Sequence, residues 1–314
     1  MKENIILIEP IDLYNLLNQT NLGKPCITNE CYLLLFDVRK QEEYLESHIV
    51  QARHVPFVKE KGYIFPQHVD YSAIENIVVM DRRATSVREV SSPSVICAQL
   101  VWGMGSKYPV QVVKGGFEDF SALYPFLRSQ KFLYTQREIE STIVYPIEII
   151  PVFLYMGVSK QASNKAIAKD LKIKAHVNIT ENDDPRFTVN DVINGRNKEI
   201  VPQLLNIPVK DNIEVDLLSQ FTVICTFIDQ HRMNDKRGIL VYSELGVSRC
   251  VTIILAYLIN NEKIPLKEAV KKTSRCHKFI CPNRKFIEDL LQWEEIVLGQ
   301  KVTQREELGF LSYE

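Results

Sequence analysis

The sequence predicts an α/β protein of two domains, each built on a mainly parallel sheet with helices on its faces. Apolar runs of strand type alternate along the chain with segments of helical spacing, and this alternation is typical of parallel sheets. The 314 residues are enough for two such domains. Between the two alternating stretches lies the polar segment RSQKFLYTQREIEST at 128–142, which predicts a tether.

The first half contains three segments of each type. Helical spacing predicts helices at 11–19, 42–49 and 94–105, the last stopped by two glycines. Bare apolar runs predict buried strands at 32–38, 74–81 and 108–116. We place the first domain at residues 1–128 and the linker at 129–145.

The second half repeats the alternation. Strands are predicted at 151–157, 174–180, 204–211 and 238–243, and helices at 162–173, 217–232, 249–260 and 286–299. The polar stretch at 183–199 predicts a long surface loop. This second domain is placed at 146–300, and residues 301–314 are interpreted as a C-terminal tail.

Composition excludes several classes of protein. With 46% hydrophobic residues, 25% charged residues and a net charge of -1, neither disorder nor a broad nucleic-acid-binding surface is expected. Seven scattered cysteines, an odd number, favour a reduced intracellular compartment. The N-terminus resembles neither a secretory nor a mitochondrial presequence, and the longest apolar run, at 251–259, is too short to span a bilayer. A cytoplasmic protein without a membrane span is therefore the expectation.

The first domain resembles the rhodanese family. Segments 37–57 and 112–120 carry the resemblance, through Asp37, Arg39, Glu43, Tyr44, His48, Ile49, Ala52, Gly115, Gly116 and Phe117. Active members carry a sulfur-accepting cysteine directly after the central strand, and the resemblance places Asp81 there. A carboxylate does not carry sulfur and repels anions, so we predict that this domain has no sulfurtransferase activity.

An aspartate at the same place is also seen in the noncatalytic rhodanese domains of MAP-kinase phosphatases. That resemblance implies docking of a kinase through a basic cluster, for which Arg53, Lys59 and Lys61 are the candidates. Glu60 interrupts the cluster, so an ordinary solvated surface is the alternative interpretation.

The second domain resembles the dual-specificity phosphatases over about residues 146–298. Five segments carry the resemblance in order: VFLYMGVSKQAS, VNIT, NIPVKDN, YSELGVSRC and CPNRKF. Family members carry histidine, cysteine, five residues, arginine and then serine or threonine in the fourth of these. This sequence has Tyr242, Ser243, residues 244–248, Arg249 and Cys250 there.

The 243–249 loop has the features of an anion site. Backbone N–H groups bent round Gly246, the positive end of the following helix and the forked guanidinium of Arg249 all suit phosphate. The phosphate-binding candidates are Ser243, Glu244, Leu245, Gly246, Val247, Ser248 and Arg249. Glu244 weakens phosphate binding by on the order of 1 kcal/mol if it faces the ligand, and by little if it faces solvent. A purely structural strand-turn-helix remains the alternative.

Phosphatase chemistry is not expected at this loop. A thiol ionises in such a field, whereas the hydroxyl of Ser243 needs a base, and the phenol of Tyr242 is not one. The resemblance makes Cys250 the replacement of a hydroxyl that assists the second step, and Asp211 a retained general acid with nothing to protonate. Cys250 as a substitute nucleophile is the less favoured interpretation, because it lies beyond the arginine in a buried helix.

This pair of altered domains resembles the STYX-like pseudophosphatases, relatives of the MAP-kinase phosphatases. The resemblance implies a noncatalytic regulator without a cofactor, which holds phosphoproteins, competes with or inhibits active phosphatases, or docks MAP kinases. A weakly active atypical dual-specificity phosphatase is the alternative. Cys276, His277 and Cys281 lack a second ligand pair at zinc spacing, so we expect no metal. The basic run at 267–278 is interpreted as solvated surface, and no nucleic-acid partner is expected.

Overall fold

The computed structural model describes residues 4–21, 23–89, 91–132, 135–182, 203–212, 214–234 and 238–309. The chain divides into two compact units, Met1–Ile143 and Val144–Glu314. The surface loop predicted at 183–199 lies outside the described residues.

Unit 1 is organised around a parallel sheet. Its strands are β1 (Ile5–Ile8), β2 (Thr20–Asn21), β3 (Lys24–Pro25), β4 (Leu33–Asp37), β5 (His48–Ile49), β6 (Arg53–His54), β7 (Phe57–Val58), β8 (Gly62–Tyr63), β9 (Asn76–Met80), β10 (Val110–Val113) and β11 (Arg128–Ser129). In the described residues the main sheet has the order β1-β10-β9-β4-β6, and all its pairs are parallel. The central strand β9 is buried from Ile77 to Met80, as its apolar sequence predicts.

Helices cover this sheet. They are α1 (Pro10–Asn18), α2 (Gln41–Glu46), α3 (Pro93–Gly103), α4 (Gly116–Leu123) and α5 (Gln136–Glu140). Helix α3 buries Val95, Cys97, Ala98 and Val101, and it packs against β9 and β10. The loop between β9 and α3 therefore emerges at the carboxyl end of the central strand, where ligands bind in open α/β sheets.

Unit 2 contains a mixed sheet. Its strands are β12 (Ile147–Ile150), β13 (Leu154–Val158), β14 (Ile173–Asn178), β15 (Gln203–Asn206) and β16 (Gly238–Ser243), in the order β12-β13-β16-β14-β15. The edge strand β12 runs antiparallel to β13, and the other pairs are parallel. Every residue of β16 is buried, because this strand is the centre of the sheet.

The helices of unit 2 surround one buried helix. They are α6 (Ser159–Ala162), α7 (Lys165–Asp170), α8 (Leu218–Asn234), α9 (Arg249–Glu262), α10 (Leu266–Cys276) and α11 (Arg284–Leu298). Residues 249–259 of α9 are all buried, and the helix packs against α8, α10 and α11. A helix this apolar around its circumference belongs in a core, so its burial follows from the sequence. None of the helices that the structure describes is long and apolar enough to cross a bilayer.

The two-domain α/β fold class is confirmed, and some element boundaries differ from the prediction. The helix predicted at 42–49 ends at Glu46, since β5 pairs antiparallel with β11 instead. Within the predicted linker, Thr135 and Glu138 form a reciprocal capping box that starts α5. Within the predicted tail, Thr303 is buried and donates a hydrogen bond from Oγ1 to the buried carboxylate of Glu294 at 2.6 Å. The domain boundaries drawn from the sequence stay a prediction.

Candidate functional site

The 243–249 loop lies at the carboxyl end of the central strand of unit 2. Ser243 is the last residue of β16, and Arg249 is the first residue of α9. Gly246 turns the loop with φ of +74°, and a Cβ on it would lie 3.0 Å from Val158 Cγ1. Glycine is therefore favoured by the left-handed conformation, and a Cβ would also have to displace the Val158 methyl group slightly.

Ser243 is held by two contacts within the loop. Its side chain is buried, its hydroxyl donates to Cys250 Sγ at 3.3 Å, and its oxygen accepts from the Gly246 N–H at 3.3 Å. The hydroxyl proton thus points to a sulfur and not to a base. An attack on phosphorus requires deprotonation of this hydroxyl by a base, and neither of these two contacts provides one.

Cys250 is a fully buried thiol at the start of α9. Burial raises its pKa to about 11, although the hydrogen bond from Ser243 acts in the opposite direction. The thiol is therefore neutral at pH 7 and a poor nucleophile. The sequence placed Cys250 in the buried helix, away from the loop floor; the structure brings its Sγ directly against Ser243.

Tyr242 is a buried part of the sheet. Its ring meets the ring of His176 edge to face with 5.9 Å between centroids, and its carbonyl accepts from the Ile179 N–H at 3.0 Å. A phenol held between strands in this way fills the core and offers no proton acceptor to Ser243 at neutral pH.

Arg249 is 5% exposed, and its guanidinium faces three parts of its own chain. Nη1 donates to the carbonyl of Val209 at 2.7 Å. Nη2 forms an ion pair with Glu244 Oε2, and Nε lies 3.6 Å from Asp211 Oδ2. The cation proposed for phosphate is thus surrounded by acceptors from the protein itself.

Glu244 faces the site. Its Oε2 pairs with Arg249, and its Oε1 accepts from the backbone N–H of Glu181 at 3.1 Å. Sequence reasoning left two orientations open for Glu244, and the structure places it towards the arginine. By contrast, the side chain of Leu245 is 76% exposed and points away from the loop interior.

Asp211, at the general-acid position, is tied to the loop by two donors. Its Oδ1 accepts from Ser248 Oγ at 3.0 Å and from Asn283 Nδ2 at 2.8 Å. Asn283 also caps α11 by accepting from the Phe286 N–H at 3.0 Å. Sequence reasoning did not single out Asn283, although an asparagine directly before a predicted helix is an N-cap signal. Asp211 therefore stabilises the shape of the loop.

Asp81, at the cysteine position of unit 1, is buried directly after β9. Its Oδ2 accepts from Ser92 Oγ at 2.8 Å, Ser94 Oγ at 2.7 Å and the Ser94 N–H at 3.3 Å. Its Oδ1 accepts from the Arg83 N–H at 3.0 Å. The carboxylate thus fixes the end of β9 to the start of α3.

The residues around Asp81 have structural roles. Arg39 forms an ion pair with the buried Asp37 at 2.6 Å and stacks its guanidinium 3.5 Å from the centre of the Phe117 ring. Gly116, with φ of +55°, passes so close to Asp81 that an added Cβ would lie 2.5 Å from its carbonyl oxygen. These contacts explain the rhodanese-like motif without a reactive group.

The candidate docking residues Arg53, Lys59 and Lys61 are all exposed. Between them, the β7–β8 hairpin presents Phe57, 62% exposed, and Val58, 41% exposed. Apolar side chains between cations make a mixed surface, which differs from the purely polar one expected of a solvated loop.

The metal-site interpretation gains no support within the described ranges, where His, Cys, Asp and Glu form no group of three or more placed to hold a metal. Cys281 is exposed, whereas His277 is buried. Burial lowers the pKa of His277 to about 4, so it is a neutral core histidine at pH 7.

Two family models match the chain. The dual specificity phosphatase catalytic domain matches residues 154–296, and the rhodanese-like domain matches residues 13–123. Human dual specificity protein phosphatase 1 is 32% identical over 303 residues, which are 85% of this chain and 79% of that protein. The chain therefore belongs to the dual specificity protein phosphatase family. It consists of a rhodanese-like domain followed by a dual-specificity phosphatase domain.

This chain covers a smaller share of a second relative. Rat dual specificity protein phosphatase 4 is 32% identical over 251 residues, 73% of this chain but 59% of that protein. Among solved structures, human DUSP28 aligns with a TM-score of 0.42 at 23% identity, over 49% of this chain and 99% of that one. The human tyrosine phosphatase-like serine/threonine/tyrosine-interacting protein aligns with a TM-score of 0.40 at 21% identity, over 49% and 98%.

Proposed function

We propose that this family member is a catalytically inactive regulator of phosphorylation signalling that acts by binding. It holds phosphoproteins, or it competes with or inhibits active phosphatases. The proposal rests on one observation: the side chain at the nucleophile position is a buried hydroxyl that donates its proton to Cys250 Sγ. An uncharged oxygen without a base is a weak nucleophile at pH 7.

Two further substitutions and the contacts of the retained Asp211 support the proposal. Tyr242 is buried between strands, Cys250 is a neutral thiol, and Asp211 is engaged by Ser248 and Asn283. None of these groups supplies the charge or proton that a nucleophilic mechanism needs. In unit 1, Asp81 removes the sulfur carrier in the same way.

Steady-state release of phosphate from phosphotyrosine and phosphothreonine peptides tests this proposal against the alternative of a weak enzyme. We expect wild type and Ser243→Ala to release phosphate at the same rate as buffer. Release by wild type that disappears in Ser243→Ala would establish Ser243 as a nucleophile, and the proposal would be wrong. The alanine variant is a close control, because it removes only the hydroxyl.

A second candidate function is docking of a MAP kinase on unit 1. It is favoured by the exposed Phe57 and Val58 between Arg53, Lys59 and Lys61. Such a surface suits a partner with an acidic rim and an apolar groove.

Charge reversal tests the docking candidate by titration against a purified MAP kinase. Changing Arg53, Lys59 and Lys61 to glutamate should abolish binding, and Glu60→Lys, which completes the basic run, should strengthen it. Unchanged binding in both variants would exclude this surface.

A further inference from the structure

The guanidinium of Arg249 has one edge on which a phosphate would be expected to bind. Nη1 donates a hydrogen bond to the carbonyl of Val209, so the remaining edge is formed by Nε and Nη2. Two parallel N–H groups on one edge make the bidentate contact with two oxygens of a phosphate or carboxylate. Binding of a phosphoryl group to this loop therefore depends on that edge.

Two carboxylate oxygens of the protein already face this edge. Glu244 Oε2 pairs with Nη2, and Asp211 Oδ2 lies 3.6 Å from Nε. Together they stand where two oxygens of one phosphate would stand. Each comes from a different segment: Glu244 follows β16, and Asp211 lies in the stretch after β15.

The two carboxylates, Glu244 and Asp211, differ in how closely they contact the arginine. Glu244 is anchored on its other oxygen by the Glu181 N–H, and its side chain is 39% exposed. Asp211 is anchored by Ser248 and Asn283, but it is too far from Nε for a hydrogen bond. Within the part of the chain that the structure describes, the buried Nε has no hydrogen-bond acceptor. The edge is thus only half satisfied, and an incoming oxygen would reach it by displacing Glu244.

We propose that Glu244 is a resident carboxylate ligand of Arg249 and determines the anion specificity of the 243–249 loop. In the wild type it occupies the phosphate-binding edge and adds a negative charge, so a phosphoryl group binds only by displacing it. Without Glu244, the backbone N–H groups, the start of α9 and the freed guanidinium form an open phosphate site.

This inference rests on the proposed function only in that the loop acts by binding, and its test does not involve turnover. The full-length protein is titrated with inorganic phosphate by calorimetry at constant ionic strength. Glu244→Gln removes the charge of the internal ligand. Glu181→Gln is the matched control, because it removes the same charge next to the loop and keeps the backbone N–H that holds Glu244.

Glu244→Gln should bind phosphate on the order of tenfold more tightly than wild type, the scale of one partly desolvated charged contact, and Glu181→Gln should change binding far less. Adding Arg249→Lys to Glu244→Gln should remove the gain, since an ammonium lacks the forked edge. Circular dichroism on each variant identifies any loss of fold, and Glu244→Ala is the second variant for the same measurement.

A gain in Glu244→Gln no larger than in Glu181→Gln would overturn the proposal, because the effect would then be general charge. Wild type that binds phosphate as tightly as Glu244→Gln would overturn it as well. Either result leaves the proposed lack of turnover untouched, since phosphate release is measured separately.

Discussion

Units 1 and 2 each carry a residue other than cysteine where the resemblance to the matching family places a cysteine in active relatives. The two sites differ in the contacts around that residue. In unit 1, the Asp81 carboxylate accepts hydrogen bonds from Ser92, Ser94 and the Arg83 N–H, so its acceptors are satisfied by its own loop. In unit 2, Ser243 is isosteric with cysteine apart from one atom and accepts from the Gly246 N–H, and Arg249 pairs with Glu244.

The difference follows from charge. A buried carboxylate needs several hydrogen bonds, which Ser92, Ser94 and the Arg83 N–H supply to Asp81, and its negative charge repels an anion brought next to it. A neutral hydroxyl makes no such demand, so Arg249 keeps its place and its charge is balanced by Glu244 and Asp211. Unit 1 thus carries a carboxylate held by its own loop, and unit 2 carries an arginine paired with carboxylates of its own chain.

Restoring the side chains of active relatives should give unit 2 phosphatase activity. Tyr242→His with Ser243→Cys should raise phosphotyrosine peptide turnover at least about a hundredfold over wild type, because removing a nucleophile costs at least that much in active enzymes. Cys250→Ser should be added, since two sulfurs would otherwise stand side by side and the hydroxyl should assist the thiolate. Steady-state phosphate release measures the gain.

Glu244 provides an internal check on that gain. Adding Glu244→Gln to the restored loop should lower KM more than it changes kcat, because it opens the phosphate edge and leaves the nucleophile alone. A folded, inert restored variant would show that the loop is altered beyond the side chains identified above.

Unit 1 should respond in its stability. Asp81→Ala leaves the hydroxyls of Ser92 and Ser94 without their buried acceptor and should lower the free energy of unfolding of unit 1 by about 3 kcal/mol. Hydrogen exchange of the β9 and β10 amides measures it. Asp70→Ala is the control, because Asp70 also accepts from a serine, Ser72, but on the surface; an equal loss in both variants would contradict the anchoring role.

Acid should act on unit 2 through His277. Its folded pKa of about 4 lies below the ordinary histidine pKa of 6.5, so the unfolded chain takes up a proton first as the pH falls. Stability is therefore complete above pH 6.5 and is lost as the pH falls towards 4, by about 2 kcal/mol between pH 7 and pH 5. Hydrogen exchange in α10 should show this loss, and His277→Phe should flatten it.

His231, which is partly exposed on α8, is the control for that titration. His231→Gln should keep the full pH dependence of wild type. If the pH dependence changes in His231→Gln and not in His277→Phe, the assignment of the acid sensitivity to His277 is wrong.

The two glycine turns should differ in how well they tolerate a Cβ. Gly116→Ala must displace backbone atoms of Asp81 and Arg82, whereas Gly246→Ala meets a movable methyl group of Val158. The first should lower the midpoint of thermal unfolding more than the second, for which about 1 kcal/mol of left-handed strain is expected. Equal shifts of the midpoint in the two variants would show that both turns tolerate a Cβ equally well, contrary to this expectation.

The sequence predicted the central elements of both units because their signals are uninterrupted. GILVYS is an apolar strand, and 249–260 is a helix without a polar face. Neither segment has a face suited to solvent, so both are expected in the core. The end of α2 was misplaced, since pairing of β5 with β11 is a tertiary effect that helical spacing does not reveal. The T-x-x-E pattern at Thr135 was a readable signal of α5.

The site was predictable in its residues and not in its contacts. Arg249, Ser243 and Asp211 were all identified from their order along the chain. The orientation of Glu244 depends on its contacts with Arg249 and with the backbone N–H of Glu181. Glu181 lies 63 positions away from Glu244 in the sequence. Sequence spacing carries no information about such a contact.

The most direct test of this account is a titration of a phosphotyrosine peptide and its unphosphorylated twin, with phosphate release followed in the same samples. Wild type, Glu244→Gln and Arg249→Ala are compared. We expect no release from any of them, a preference for the phosphopeptide that is greatest in Glu244→Gln, and no preference in Arg249→Ala. Release of phosphate by wild type, or a preference for the phosphopeptide that survives in Arg249→Ala, would contradict a loop that binds through its arginine and performs no chemistry.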